Sequence, residues 1–341
     1  MSGEAAATAP RGCAEALASA YDVALLDLDG VVYIGRSAVA GAADALAKAK
    51  AAGLRVAFVT NNASRTPSAI AAQLTGLGVP TSASDVVTSA QAGARLLAER
   101  LPSSAAVLVV GGIGLRVAVR ERGFRPVSVA SERPAAVIQG YAPDLGYALL
   151  AEGALAVQAG AVFVISNADK TLPSPRGRQP GNGSLSRVIA TATGQEPLVA
   201  GKPEPPLHAE SVARTGARNP LVVGDRLDTD IEGAVRVGAD SMLVLTGVTH
   251  PVDAVLAPPH QRPSYLARDL SGLLTPHPRV TRADGGFRCG GWHAGWQAPG
   301  RLALDGDGDP MDALRALCAA AWSADGTAPE AVAEPLKRLG W

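Results

Sequence analysis

The chain carries no net charge: 31 Lys and Arg balance 31 Asp and Glu across 341 residues. A neutral chain has no general electrostatic pull toward nucleic acid or anionic lipid, although one local basic pocket for a phosphate stays open. Lysine is scarce, with Lys48, Lys50, Lys170, Lys202 and Lys337 making up the set. The more frequent Arg and Ala read as coding bias. Cysteine is scarcer still: Cys13, Cys289 and Cys318 are odd in number and far apart, so neither a disulfide framework nor a metal pattern follows, and a reducing cytoplasm fits best. The Ala-rich stretch from Met1 to Ala20 lacks a basic region followed by an apolar block, so no signal peptide is expected. Apolar runs fall short of the roughly 20 residues that span a bilayer. These absences leave a soluble cytoplasmic protein as the expectation.

What is present is a β/α rhythm from residue 20 to about 275, which predicts a doubly wound parallel sheet covered on both faces. Val23–Leu28, Leu54–Val59, Leu221–Val223 and Met242–Leu245 read as strands. Thr66-Pro67 and the Thr88/Gln91 pair read as helix starts. A smaller α/β segment sits in between, with strands at Val107–Val110, Val137–Gln139 and Val162–Ile165. Past residue 275 the character changes. Residues 276–300 are rich in Pro, Gly and Trp, a helix Met311–Ser323 follows, and the tail reads as a separate appendage. Trp292 and Trp296 have the spacing of one helical face, but the Gly-rich sequence between them favours a loop or packing against the core.

Four polar pieces carry the chemistry. Asp27-Leu28-Asp29-Gly30-Val31-Val32-Tyr33, Thr60-Asn61-Asn62 and Gly224-Asp225-Arg226-Leu227-Asp228-Thr229-Asp230 each follow a strand, and Gly201-Lys202-Pro203 opens a helix. Singly, each reads as a turn, a cap or a solvated lysine. Together, at the carboxyl ends of strands in one sheet, they read as a phosphoryl-transfer site. A carboxylate nucleophile attacks phosphorus only when the phosphate's charge is neutralised, which calls for a divalent metal and an ammonium. Asp27 and Asp225 suit Mg²⁺, and Lys202 supplies a point charge. The Thr60 hydroxyl and backbone N–H groups suit phosphate oxygens, Asp29 suits acid/base work, and Asp230 would orient the metal's water shell or Lys202.

In order and spacing these pieces resemble the motifs of the haloacid dehalogenase superfamily, in its nitrophenyl-phosphatase and phosphoglycolate-phosphatase branch. The resemblance covers roughly residues 20–275. It implies Asp27 as nucleophile, Asp29 as acid/base and through its carbonyl a metal ligand, Thr60 and Lys202 as phosphate ligands, and Asp225 as metal ligand. About thirty residues separate Asp29 from Thr60, too few for a domain, against about 140 between Thr60 and Lys202. The layout expected is therefore a Rossmann-like core (20–84 and 184–275), an inserted α/β cap (85–183) and a C-terminal extension (276–341). The substrate-binding set is Thr60, Asn61, Asn62 and Lys202, with Asn167 and Asp169 as cap candidates. The loops Leu172-Pro173-Ser174-Pro175 and Pro180-Gly181-Asn182-Gly183-Ser184 stand beside them. A homodimer through the cap is compatible with this layout.

The runs Asp85–Gln91, Pro180–Ser184 and Gly224–Gly233, with the extension, resemble actinobacterial glycerol-3-phosphate phosphatases, whose extension is likened to part of an acetyltransferase-like fold. The resemblance implies a Mg²⁺-dependent phosphomonoesterase for a small polyol phosphate. Phosphoglycolate, a sugar phosphate or a nucleotide are the alternatives within the class, and a scaffold protein with a vestigial site is the alternative outside it. Gly111-Gly112-Ile113-Gly114 lacks the spacing of a dinucleotide loop and reads as a turn. Asp305-Gly306-Asp307-Gly308-Asp309 lacks the Gly and Glu of a calcium loop, because Pro310 and Ala316 stand there. His208 reads as structural.

Overall fold

The computed structural model describes residues 8–172, 174, 176–298, 300–324 and 326–341, and the chain divides into two compact units. One joins the N-terminal part, up to Val56, to Ala217–Trp341; the other is Ala57–Gly216. Among the described residues no helix is long and apolar enough to cross a membrane.

In the first unit, four parallel strands run in the order Tyr265–Ala267, Asp240–Val244, Pro220–Gly224, Val23–Leu26. Val23–Leu26 is buried at every position, which is why it reads as an unbroken apolar run rather than an alternation. Its register (Leu26 beside Val223) carries both strands out at one edge, where Asp27 and Asp225 follow. The helix Ala42–Ala51 has Asp44 in its first turn and Lys48 and Lys50 in its last, matching the helix dipole.

In the C-terminal extension the two tryptophans, expected on a loop or packed against the core, are on a strand, and Trp292 packs into the core. Trp292 and Trp296 lie on a strand, Trp292–Ala298, within the antiparallel sheet Thr281–Ala283, Gly286–Cys289, Trp292–Ala298, Arg301–Gly306. Four residues apart on a strand is also one face. The Trp296 indole N–H donates to the Ala320 carbonyl (3.2 Å), and Trp292 is buried. The tail also packs on the parallel-sheet region. Leu302, Leu304, Leu314, Leu317, Trp322 and Leu336 share one continuous core with Leu243, Val255 and Leu266 of the parallel-sheet region. Buried polar groups tie the same seam: the Trp322 indole donates to Ala254 O (3.2 Å) and Arg315 to Leu266 O (2.7 Å). Asp309 caps the helix Pro310–Trp322 by accepting from Met311 N (2.9 Å).

In the second unit, the strand that ends at Thr60 pairs in parallel with Val86–Thr88. The capping box forms as the Thr88/Gln91 spacing predicts: Gln91 N donates to Thr88 Oγ1 (3.3 Å) and Thr88 N to Gln91 Oε1 (2.9 Å). A second parallel sheet, in the order Leu198–Val199, Val162–Ile165, Ala136–Gln139, Ala106–Val110, Arg125–Val127, is the smaller α/β segment. Its core sets Val110, Val137 and Phe163 against Leu150, Val157 and Ile189 of the helices Tyr147–Gln158 and Asn182–Thr193.

The helix Pro205–Thr215 carries Glu210, which is fully buried and accepts from Arg122 (2.6 and 2.7 Å) and Arg214 (2.6 Å), with Arg95 at 3.6 Å. A cavity of about 350 Å³ beside it is lined by Gln91, Arg95, Glu121 and Arg122 among others. Glu99 also pairs with Arg95 (3.3 Å), and Glu121 adds a carboxylate to the lining. The network therefore works as a fastening between helices rather than as an anion trap.

Candidate active site

Three carboxylates meet in the first unit. Asp27 continues the strand ladder through its N–H to Val223 O (2.8 Å), and Asp225 leaves the neighbouring strand. The chain then folds through a π-type turn, Leu227–Ile231, closed by Ile231 N to Arg226 O (3.2 Å). This turn returns Asp230 to the strand end. Asp27, Asp225 and Asp230 each place a carboxylate oxygen within 4.8 Å of the others, and both Asp225 and Asp230 are 1 % exposed. Three close carboxylates, two of them buried, repel one another strongly unless a cation lies between them.

The surrounding backbone is built around Asp225. Val248 N donates to its Oδ2 (2.7 Å) and Thr249 N to its carbonyl (3.1 Å). At Gly30, where φ is +80°, a Cβ would lie 2.3 Å from Asp225 Oδ2, and at Gly247 it would lie 2.0 Å away. Only glycine fits at either position. The all-oxygen, all-carboxylate donor set fits a small hard divalent cation. Asp230, expected in the sequence to act from outside the metal's ligand set, sits inside the cluster as a candidate ligand. Asp29 is exposed, with its carboxylate 3.5 Å from the Tyr33 hydroxyl and its turn closed by Gly30 N to Tyr33 O (2.8 Å).

The second unit gathers Thr60, Asn61, Asn62, Lys202, Asn167 and Asp169. Thr60 Oγ1 accepts from Asn62 N (3.1 Å), which leaves the hydroxyl hydrogen to donate elsewhere. The Asn62 side chain caps the following turn, accepting from Ser64 N and Ser64 Oγ (both 3.0 Å) and Arg65 N (3.3 Å). Asn61 turns its side chain to Lys202, accepting from Lys202 N (2.8 Å) and donating to Lys202 O (3.1 Å). Lys202 is 5 % exposed, and its Nζ donates to Val59 O (3.2 Å).

Asn167 is also buried and used within the fold, its Nδ2 donating to Asn61 O (2.7 Å). Asp169 stands 3.3 and 3.4 Å from Asn61 Nδ2. Gly181 and Gly183 let the strand pair Thr171–Leu172 and Gln179–Pro180 close tightly, since a Cβ at either would lie 2.2 Å from a carbonyl of Asp169 or Ala168. Of the loop Leu172–Pro175, Pro173 and Pro175 lie outside the described residues. His208, one helix segment past Lys202, is buried; burial first and the Lys202 ammonium second push its imidazole down to about 4, so it is neutral at pH 7.

Sequence reasoning did not single out Gly247 and Val248, which cradle Asp225, or Ser89, whose hydroxyl donates to Asn61 O (2.6 Å). The signal for the first pair was available: Thr246-Gly247-Val248-Thr249 lies one residue past a strand of the same sheet.

Residues 24–125 match the profile of the haloacid dehalogenase-like hydrolases and residues 199–273 that of a HAD-hydrolase-like family. Residues 289–341 match a GCN5-related N-acetyltransferase-like domain. The chain is 44 % identical over 322 residues to a D-glycerol 3-phosphate phosphatase of Mycobacterium tuberculosis, covering 91 % of this chain and 88 % of that protein. It is 36 % identical over 245 residues to a 5'-nucleotidase of Bacillus subtilis, covering 70 % of this chain and 94 % of that one. The crystal structure of a Mycobacterium tuberculosis glycerol phosphate phosphatase in complex with magnesium superimposes with a TM-score of 0.85 at 44 % identity, covering 92 % of this chain and 93 % of that one.

Proposed function

Because this chain belongs to the haloacid dehalogenase-like hydrolases, we propose that it hydrolyses a small polyol phosphate, glycerol 3-phosphate foremost, through an aspartyl-phosphate on Asp27. It is a phosphoric monoester hydrolase, and its cofactor is Mg²⁺. The observation that carries the reading is the meeting of Asp27, Asp225 and Asp230 within 4.8 Å. These three carboxylates would hold the ion, which when bound would offset the charge of the phosphate and of the carboxylates around it.

The remaining steps belong to the chain's own groups. A carboxylate oxygen of Asp27 attacks phosphorus, and the bond from phosphorus to the ester oxygen breaks. Asp29, exposed beside Tyr33, gives its proton to the leaving alkoxide. It then takes a proton from a water molecule, which attacks the phosphoryl group on Asp27 and releases inorganic phosphate. Lys202 and the Thr60 hydroxyl bind phosphoryl oxygens whose charge grows in the transition state. The segment bearing Asn167 and Asp169 is the candidate for contact with the leaving group. Its small polar residues suit a polyol better than an aromatic group. The likeness to a glycerol phosphate phosphatase along 91 % of this chain supports that choice over the nucleotidase likeness, which covers 70 %.

The test is Mg²⁺-dependent phosphate release from a panel of glycerol 3-phosphate, phosphoglycolate, sugar phosphates and nucleoside monophosphates. The reading predicts the highest kcat/KM on glycerol 3-phosphate. A higher value on a nucleotide or sugar phosphate overturns the substrate, and no release from any member overturns the enzyme.

A further inference from the structure

We propose that Asn61 is a positioning residue that fixes the backbone of Lys202 and couples it to Asp169, rather than a ligand of the substrate. The inference rests on the reading of Lys202 as a phosphate-binding lysine.

Asn61 Oδ1 accepts from Lys202 N at 2.8 Å while its Nδ2 donates to Lys202 O at 3.1 Å. One side-chain amide thus satisfies both backbone groups of a single residue, much as a neighbouring strand would. The close fit extends to the preceding residue: a Cβ at Gly201 would lie 2.5 Å from Asn61 Oδ1 and 2.5 Å from Ser166 O. Asn61 is itself held from behind. Its carbonyl accepts from Ser89 Oγ at 2.6 Å and from Asn167 Nδ2 at 2.7 Å.

An Asn Nδ2 has two hydrogens. One goes to Lys202 O, and the other faces the Asp169 carboxylate at 3.3 and 3.4 Å. No side-chain donor remains for a phosphate. The chain distances make the link informative: Asp169 lies 108 residues and Lys202 141 residues from Asn61. Asp169 sits on a half-buried loop braced by Gly181 N to Lys170 O and Gly183 N to Asp169 O (both 2.9 Å). A displacement of that loop by an incoming leaving group pulls on the same amide that sets Lys202. Asp169 therefore reports occupancy of its loop to the lysine.

The test uses the full chain and reads inorganic phosphate as a competitive inhibitor, because phosphate occupies the lysine's site without touching a leaving-group pocket. Asn61→Asp keeps the acceptor for Lys202 N, removes both donated bonds and sets a second carboxylate against Asp169. Displacement of a binding group on this scale costs about 10²-fold, so kcat/KM should fall and the phosphate inhibition constant rise by that order. In Asn61→Asp/Asp169→Asn the new Nδ2 donates to the new carboxylate, and at least about a tenth of the wild-type kcat/KM should return. A phosphate inhibition constant unchanged in Asn61→Asp, or a double variant no better than the single, overturns the proposal. Should Asn61→Asp not fold, Asp169→Ala decides: phosphate inhibition within about twofold of wild type rules the coupling out. Wild-type phosphate release in the same assay keeps the failure of this inference distinct from failure of the phosphatase reading.

Discussion

Acidification should weaken the protein through His208, and the size of the effect follows from its burial. The side chain is 4 % exposed, and burial with the Lys202 ammonium lowers its folded value from 6.5 to about 4. A histidine lowered in the folded state is neutral in both states at pH 7.5 and contributes nothing there. As pH falls through 6.5 the unfolded chain binds a proton that the folded chain refuses, so stability drops until about pH 4, below which the folded form is protonated too. Linkage over this window gives a loss of roughly 2 kcal/mol at pH 5 and about 3 kcal/mol at the acid end. Urea unfolding of wild type and His208→Gln at pH 7.5 and pH 5 reads the difference, since every other titrating group is common to both. The wild type should lose about 2 kcal/mol more than the variant over that interval. A histidine-resolved NMR titration of the wild type gives the same answer without a variant. A His208 signal titrating near 6.5, or parallel acid losses in the two proteins, refutes the reasoning.

Three further results follow from the metal site and the packing. Gly247→Ala forces a methyl to within 2.0 Å of Asp225 Oδ2, so half-maximal activity should demand more Mg²⁺; an unchanged Mg²⁺ titration contradicts the cradle. The same titration on Asp230→Asn should shift by about 10- to 100-fold, and a shift below twofold would remove Asp230 from the metal site. Truncation after residue 275 uncovers the face of Leu243, Val255 and Leu266 that Leu314, Leu317 and Trp322 cover, and the truncated chain should aggregate on expression. A monomeric, cooperatively unfolding truncation would show that the shared core is dispensable.

The parts of the fold visible in the sequence are those in which local chemistry and tertiary environment agree. Val23–Leu26 and Pro220–Gly224 announce themselves because a strand buried on both faces must be apolar throughout. The Thr66 and Thr88 caps are set by bonds three residues long, well within the reach of a sequence window. Asp27 and Asp225 are legible because each directly follows such a strand.

What was hidden depends on partners far along the chain. Trp292 and Trp296 share a face on a strand as well as on a helix, and the glycines around them obscured the choice, which the two strands paired with theirs decide. The apolar helix Pro310–Trp322 shows that it needs a partner but not that the parallel-sheet core supplies one. The sequence places Asp230 just outside the metal's ligand set, and the π-type turn that carries its carboxylate to within 4.8 Å of Asp27 and Asp225 is not legible from local pattern. From the sequence Asn61 reads as a substrate-binding residue beside Thr60. Its commitment to Lys202, 141 residues on, is a tertiary fact that no local pattern encodes.

The account stands most directly on the covalent step at Asp27. Rapid acid quench of enzyme turning over glycerol 3-phosphate with Mg²⁺, followed by intact-mass and peptide mass spectrometry, should find one added phosphoryl group on the peptide bearing Asp27, with none in Asp27→Asn. Phosphate released at an undiminished rate by Asp27→Asn, or a phosphoryl group trapped on any other residue, would contradict it.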